Sequence, residues 1–217
     1  MEPVENPSRE RILARLRAAL RVPAPRHAGP AGEPFLAAAE APLEWFQKEC
    51  AGNNTECVVA SGLRASSEAV AGILTGLPPG EIFVQDAPVL RRMALLWPAT
   101  RPVRWSSEGC PRGDSQAGVT LAEALVAATG SVLVSTRNGG RGASIVAPVH
   151  IVVAGIEQLA PDLDAALARA RALGASPRNS FLCLVTGSSR TADIEKTLVL
   201  GAHGPRRLVV VVALHLE

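Results

Sequence analysis

Hydroxyl residues, glycine and arginine are concentrated where short apolar runs of this sequence end, and these residue types favour anion binding. The clearest example is Phe181–Val185, an apolar run that passes directly into Thr186-Gly187-Ser188-Ser189-Arg190-Thr191. Gly187 permits a tight turn, and the hydroxyl groups of Ser188, Ser189 and Thr191 can donate hydrogen bonds. The guanidinium group of Arg190 is a planar, bidentate donor that suits phosphate or carboxylate. The segment therefore predicts an anion-binding turn, although it lacks the Gly-Lys-Ser/Thr of a Walker A loop.

A helix is predicted to follow this turn, from Ala192 to Leu200. Its first turn contains Glu195, and its free N–H groups can add to the anion site. Gly201-Ala202-His203-Gly204-Pro205 comes next, with Gly201 and Pro205 suited to ending the helix. Capping does not explain His203, which can bind an anion or act as a general acid or base. An ordinary helix N-terminus capped by a serine or threonine explains the same turn and stays the alternative.

A second candidate loop follows the apolar run Ser131–Ser135. It contains Arg137, Arg141 and three glycines, so it can close over a phosphate or carboxylate. Its glycines do not fit the G-x-G-x-x-G pattern, because Ile145 stands at the last glycine position. A flexible connection between two elements is the alternative, and composition alone favours it.

Metal binding is not expected. The four cysteines include no C-x-x-C pair, and no two histidines have the spacing of metal ligands. His150 lies in an apolar run, so we interpret it as a hydrogen-bonded core histidine rather than a ligand.

The elements that position these loops alternate along the chain. Short, continuous apolar runs alternate with amphipathic stretches, which predicts an α/β fold with three layers and a mostly parallel sheet covered by helices on both faces. Open sheets of this kind bind ligands at the carboxyl ends of their strands. The predicted strands are 57–60, 81–85, 103–105, 131–135, 149–154, 181–185 and 208–214, and the predicted helices are 8–21, 36–49, 66–74, 88–96, 120–128, 162–173 and 192–200.

The N-terminal part has a different character. A basic amphipathic helix ends near Arg21, and a connector rich in proline follows up to Pro34. We therefore predict two parts, an N-terminal arm of residues 1–34 and an α/β domain of residues 35–217.

Composition excludes several classes of protein. Of 217 residues, 47% are hydrophobic, which argues against disorder over most of the chain. There are 20 arginines but only two lysines, and the net charge is only +2, so nothing indicates a dedicated nucleic-acid binder. No apolar run reaches the roughly 20 residues of a membrane span, and no signal peptide is evident, so a cytoplasmic protein is expected.

Three segments together resemble the lactate utilisation protein C family, which is built on the LUD domain. They are the segment Thr129-Gly130-Ser131-Val132-Leu133-Val134, the segment Ala147-Pro148-Val149-His150-Ile151-Val152-Val153, and the long block from Thr186 to Glu195 that leads to Gly201-Ala202-His203-Gly204-Pro205. The last block is the most specific. The resemblance covers the chain from about Gly118 onward.

The resemblance implies a fold similar to ribose-5-phosphate isomerases and CoA-transferases. It also implies that the protein acts with iron–sulfur partner proteins in oxidising L-lactate to pyruvate. The chain itself has no run of cluster-binding cysteines, so no cofactor is expected in it and the clusters belong to the partners. No catalytic residue can be assigned; His203, Glu195 and, by analogy with the CoA-transferase glutamate, Glu157 are candidates. The expected anion-binding residues are Thr129, Gly130, Arg137, Arg141, Gly187, Ser188, Ser189, Arg190, Thr191 and His203.

Three hypotheses follow. The first is a non-redox subunit of a lactate-oxidising system that binds a small anionic ligand. The second is a free-standing enzyme acting on a sugar phosphate or a CoA thioester. The third is a binding or regulatory module without catalysis, which docks through its N-terminal helix. Homo-oligomer formation stays open in all three.

Overall fold

A computed structural model of the chain describes residues 7–21, 41–139, 141–173, 181–192, 198–200 and 204–216. At residues 190–192 and 198–200 it describes only the backbone. The helices are α1 (Pro7–Ala19), α2 (Pro42–Gly52), α3 (Leu63–Thr75), α4 (Pro88–Ala94) and α5 (Leu163–Ala172). The strands are β1 (Thr55–Ala60), β2 (Ile82–Val84), β3 (Val103–Trp105), β4 (Ala117–Val126), β5 (Ser131–Ser135), β6 (Val149–Gly155), β7 (Leu159–Ala160), β8 (Leu182–Val185), β9 (Arg190–Ala192), β10 (Leu198–Leu200) and β11 (Arg207–Ala213).

Six parallel strands form the centre of the larger sheet, in the order β1-β11-β6-β4-β2-β3. Strands β6 and β11 lie in the middle, and their side chains are almost completely buried. Continuous apolar sequences such as Leu208-Val-Val-Val-Val-Ala213 suit this position, because both faces of a central parallel strand are covered. The predicted α/β class with a mostly parallel sheet is confirmed.

Strand β4 is longer than its parallel neighbours, and its two halves pair with different strands. Its first half pairs with β6, and its second half pairs with the antiparallel strand β5, with an irregular register between Ala122 and Ala124. Strand β8 continues this part of the sheet beside β5, and the short β7 pairs with the end of β4. The predicted helix over 120–128 is wrong. Its Ala and Leu residues favour a helix, but nearly every side chain of β4 is buried between layers, and strand pairing overrides that preference.

Two apolar cores cover the two faces of the parallel sheet. On the face that we call the helical face, Ile151, Val153, Val209 and Val211 pack against α3 and α4. On the opposite face, which we call the cleft face, Val152 and Val210 pack with Phe46 of α2 and with β5. A smaller apolar cluster joins α5 to β4 and β5. Helices therefore lie on both faces, as predicted.

The second wrong prediction concerns the segment after β8. A helix was expected over 192–200, but its described ends are strands, and β9 pairs with β10 in antiparallel register from Arg190 with Leu200 to Ala192 with Leu198. Residues 193–197 lie outside the described residues. A glycine turn followed by hydroxyl residues is as compatible with a strand as with a helix cap, so local sequence did not distinguish them.

The chain divides into two units between Phe35 and Leu36. In the first unit the structure describes α1, which has no buried residue and exposes Ile12 and Leu16. Within the described residues, every helix is too short or too polar to reach across a lipid bilayer. The role of the N-terminal arm stays a prediction.

Candidate functional site

A cleft of about 450 Å³ opens between β8 with its following turn and the beginnings of β6 and β11. Its walls contain hydroxyl groups, an imidazole, a thiol and aliphatic side chains. The lining residues are Asn53, Ser144, Ile145, His150, Cys183, Leu184, Val185, Thr186, Gly187, Ser188, Ser189, Gly204, Pro205 and Leu208. A cleft of this size is in the range of about 300–1,000 Å³ that encloses small-molecule ligands.

The position of the cleft differs from the expected one in one respect. The turn after β8 is indeed at the carboxyl end of its strand, as predicted. His150 and Leu208, however, are opposite each other at the amino ends of β6 and β11, not at their carboxyl ends. The reason is the second half of β4, from which β5 and β8 fold back over the cleft face and bring their turn to the other end of the parallel strands.

The turn after β8 is held in place by backbone contacts. Gly187 has a φ of +75°, and a Cβ atom there would lie 2.5 Å from the carbonyl oxygen of Asn53. Both facts require glycine. The N–H of Ser189 donates to the carbonyl oxygen of Pro205 at 2.8 Å, and Ser188 is buried. The turn is therefore fixed against the segments that precede β1 and β11.

A chain of hydroxyl groups supports this turn from β5. The Oγ atoms of Thr129 and Ser131 are 2.7 Å apart, and Ser131 Oγ is 2.7 Å from Thr186 Oγ1. The side-chain amide of Asn53 donates to the carbonyl oxygen of Thr129 at 2.9 Å. Gly130 has a φ of +61° and packs against the backbone of α2. Thr129 and Gly130, both expected at the site, thus lie beside the turn and position it, whereas the cleft wall contains Thr186 and Asn53.

The two arginines of the second predicted loop have different surroundings. Arg137 donates through Nη2 to the carbonyl oxygen of Leu173 at 2.8 Å, and its Nε lies 3.6 Å from the Glu123 carboxylate. It does not belong to the described lining of the cleft. Arg141 stacks on Phe181, with its Cζ atom 4.5 Å from the ring centroid. Burial raises the pKa of the Cys183 thiol, and the charge of Arg141 partly opposes this rise. Arg141 is not a lining residue either, but its charge acts on Cys183 in the cleft wall, whereas the described contacts of Arg137 are with Leu173 and Glu123.

His150 is completely buried in the wall of the cleft. Its Nε2 lies 2.8 Å from Thr120 Oγ1, so the prediction of a hydrogen-bonded core histidine is correct for that nitrogen. Its Nδ1 has no hydrogen-bond partner among the described residues. Burial lowers the pKa of His150 to about 4, because the imidazolium ion loses its hydration, and the ring is neutral near pH 7.

The described lining of the cleft carries no charged side chain. Burial raises the pKa of the Cys183 thiol, and the positive charge of Arg141 only partly opposes this effect. Cys183 is therefore a protonated thiol at neutral pH, which is a poor nucleophile. The described residues also contain no group of three or more His, Cys, Asp or Glu side chains placed to hold a metal ion. The described walls suit binding by hydrogen bonds and apolar contact.

Several predicted residues cannot be placed in the cleft. Glu195 and His203 lie outside the described residues, and Arg190 and Thr191 are described only as the backbone of β9. Glu157 is absent from the described lining of the cleft, and its carbonyl oxygen accepts a hydrogen bond from Arg169. The sequence interpretation missed Asn53, Ser144 and Cys183, as well as the position of His150 in the wall. Asn53 follows α2 and Ser144 ends a short 3-10 helix, far apart along the chain, and no local pattern marks them.

The fold has a counterpart among solved structures. The crystal structure of a DUF162 family protein from Deinococcus radiodurans superposes with a TM-score of 0.59, covering 79% of this chain and 96% of that one at 21% sequence identity. At this identity the similarity concerns the fold alone. The molecule is thus an α/β protein with a fold similar to that of the DUF162 family structure.

Sequence comparison finds relatives of part of the chain. Residues 113–213 match the LUD domain. Lactate utilization protein C of Macrococcus caseolyticus is 31% identical over 98 residues, which is 44% of this chain and 42% of that protein. The Bacillus subtilis protein of the same name is 29% identical over 46% of this chain and 50% of its own length. The one from Geobacillus is 25% identical over 78% and 77% of the two chains.

The chain therefore contains a segment that matches the LUD domain, and over part of its length it is similar to several proteins named lactate utilization protein C. It spans about half the length of most of the curated relatives that it matches. The matched LUD segment contains β4–β6, β8 and β11, and therefore most of the cleft wall.

Proposed function

We propose that this chain is a subunit of a lactate utilisation system, in which it binds a small anionic ligand while iron–sulfur partner proteins transfer the electrons. The supporting observation is its similarity to several proteins named lactate utilization protein C. The cleft is the proposed ligand site, since it combines a turn rich in hydroxyl groups with the nearby positive charge of Arg141. L-lactate oxidation to pyruvate removes two electrons and two protons, and in this proposal the clusters of the partners accept the electrons.

The role of the described cleft residues follows from their chemistry. The hydroxyl groups of Ser188 and Thr186 can bind an oxygen-rich ligand, and the walls formed by Leu184 and Leu208 exclude water from its carbon atoms. Cys183 is protonated, and the described lining contains no carboxylate that could act as a base. We therefore assign binding and orientation of the ligand to these residues, and no covalent step.

Gene deletion tests the proposed function. Loss of this chain should abolish growth on L-lactate but not on glucose, and the wild-type gene should restore it. Affinity purification of the tagged chain should also recover brown proteins with the visible absorbance of iron–sulfur clusters. Unimpaired growth on L-lactate after deletion would contradict the proposal.

The cleft variant Thr186→Val refines this test. It removes the hydroxyl group that pairs with Ser131, and we expect it to complement the deletion poorly. Thr75→Val is the matched control, because Thr75 is exposed on α3 and its hydroxyl group bonds only within that helix. Equal complementation by both variants would argue against the cleft as the ligand site.

A free-standing enzyme acting on a sugar phosphate or a CoA thioester is the second candidate. The volume of the cleft, about 450 Å³, favours it, because a three-carbon acid fills only a small part of that space. Calorimetric titration with ribose 5-phosphate and with coenzyme A distinguishes the two. If either binds, Arg141→Ala should weaken binding by about 1–3 kcal/mol, the loss of one charge-assisted interaction, whereas Arg64→Ala, at an exposed position of α3, should not. Absence of heat with both ligands removes this candidate.

A further inference from the structure

The unpaired nitrogen of His150 is an exception in the cleft wall. A buried polar atom without a partner costs roughly 1–3 kcal/mol, so such atoms are rare in folded proteins. Of the two ring nitrogens, Nε2 is paired with Thr120 Oγ1, and Nδ1 lacks a partner among the described residues. The ring is completely buried and belongs to the wall of a cleft of about 450 Å³. A group that enters the cleft can supply the missing hydrogen bond.

The charge state of the ring restricts which group this is. His150 is neutral near pH 7, so it offers no ionic attraction to a carboxylate or phosphate. In a neutral imidazole one nitrogen donates and the other accepts, and the contact with Thr120 is compatible with both arrangements. A hydroxyl group both donates and accepts, so it matches Nδ1 in either tautomer. A carboxylate only accepts, and an ammonium group only donates.

A positive charge lies near another part of the same cleft. Arg141 stacks on Phe181, next to β8, and its charge acts on the thiol of Cys183 in the cleft wall. The described lining residues are themselves uncharged, so an anionic group of a ligand beside Cys183 is attracted by the charge of Arg141. A ligand with a hydroxyl group and an anionic group can use both features at once.

We propose that His150 Nδ1 binds the hydroxyl group of a small hydroxylated anion, whose charged group is directed toward Arg141. The proposal rests on the proposed function only in placing the ligand in this cleft. Hydroxycarboxylates and sugar phosphates share this chemistry. The hydroxyl group is recognised by a neutral hydrogen bond, and the anion is attracted by charge, so the two parts of the ligand are recognised separately.

Nitrogen NMR of the full chain with ¹⁵N-labelled histidine observes Nδ1 directly, and the signal is assigned by its loss in His150→Gln. The probes are L-lactate, propionate and ribose 5-phosphate; propionate has the carboxylate of lactate without its hydroxyl group. L-lactate or ribose 5-phosphate, or both, should shift the Nδ1 resonance, and propionate should not. The exposed His215 is the internal control and should not respond. The responding probe identifies the class of ligand.

Titration of variants separates the two parts of the recognition. For the hydroxylated probe that responds, His150→Gln should weaken binding about tenfold or more and leave propionate binding unchanged. Arg141→Ala should weaken propionate and the hydroxylated probe by similar factors. Thr120→Val removes the partner of Nε2 but not Nδ1, so it controls for damage to the wall and should retain the preference for the hydroxylated probe.

Two results would overturn the proposal. One is an Nδ1 resonance that does not respond to L-lactate or to ribose 5-phosphate. The other is an equal response to L-lactate and propionate, which would show that the hydroxyl group is not recognised. Either result leaves the proposed function intact if deletion still abolishes growth on L-lactate, so the two failures are distinguishable.

Discussion

The two faces of the parallel sheet are built from alternate residues of the same strands, yet they differ in what they can do. On the helical face, Ile151 and Val209 pack into an apolar core beneath α3 and α4. On the cleft face, the neighbouring residues His150 and Leu208 border an open space of about 450 Å³. The difference arises from the covering layer, because two helices pack continuously on one face, whereas β8 and its turn cover the end of the other incompletely. The first face is closed by packed helices, and the second contains the cleft that we propose as the ligand site.

Truncating one core residue on each face gives the largest expected effects. Phe46→Ala on the cleft face should cost about 3–5 kcal/mol of unfolding free energy, and Leu74→Ala on the helical face about 2–5 kcal/mol, because both side chains are fully buried. Urea denaturation measures both. Phe46 shares its core with Cys183 and Val185, so its loss should also change the chemical shifts of the cleft residues. The Leu74 variant should leave those shifts unchanged; equal changes in both variants would contradict the division between the faces.

The pH dependence of stability sharpens the comparison. Burial lowers the pKa of His150 from its ordinary value of 6.5 to about 4, so unfolding increases proton uptake in this range. Above pH 6.5 this effect does not reduce the free energy of unfolding. As the pH falls from 6.5 toward 4, the free energy of unfolding decreases by about 3 kcal/mol in total, because the unfolded state binds the proton and the folded state does not. Urea denaturation at pH 7 and pH 4.5 measures the loss.

His150→Gln is the control for this pH effect, because it keeps a polar side chain that does not titrate. The variant should lose clearly less stability than the wild type between these two pH values. Carboxylates such as Glu56, whose pKa is lowered by Arg207, add the same pH dependence of stability to both proteins. Their effect cancels when the two losses of stability are compared. Identical losses in the two proteins would show that His150 is not a buried neutral group.

Two glycine substitutions give the smallest expected effects, and these differ in sign. Gly187→Ala should cost about 2 kcal/mol, because its positive φ disfavours a side chain and the added Cβ would press on Asn53. Gly72→Ala on α3 has open space around it and should stabilise the helix by about 0.5–1 kcal/mol. Thermal unfolding measures both, and the cleft variant should also bind its ligand more weakly. A neutral Gly187→Ala would mean that the turn is not held as described.

Much of the fold was predictable, but the errors have a common cause. The central strands β6 and β11 are long apolar runs, and α3, α4 and α5 are amphipathic, so pattern and structure agree. The helix predicted over 120–128 was wrong, because its alanines and leucines suit a helix in isolation while β4 is buried between two layers. The helix predicted over 192–200 was also wrong, because β9 and β10 pair with each other there. In both cases pairing with another strand, which the local residue pattern does not report, decided the conformation.

The candidate site was partly predictable for the same reason. The turn from Thr186 to Ser189 was found because its glycine and hydroxyl residues are contiguous, and it does line the cleft. Arg137 and Arg141 belong to one loop and look equivalent in sequence, yet one pairs with Glu123 and the other stacks on Phe181. Their neighbours come from distant parts of the chain, and no spacing rule reports them.

By itself, the sequence determined the alternation of apolar and amphipathic segments, the family resemblance and the composition of the turn after β8, because these are properties of contiguous residues. The tertiary structure alone decided that β5 and β8 fold back over the sheet, that the cleft lies at the amino ends of β6 and β11, and that His150 has one paired and one unpaired nitrogen. Those features depend on which strands become neighbours, and that choice is made by burying apolar surface across the whole domain.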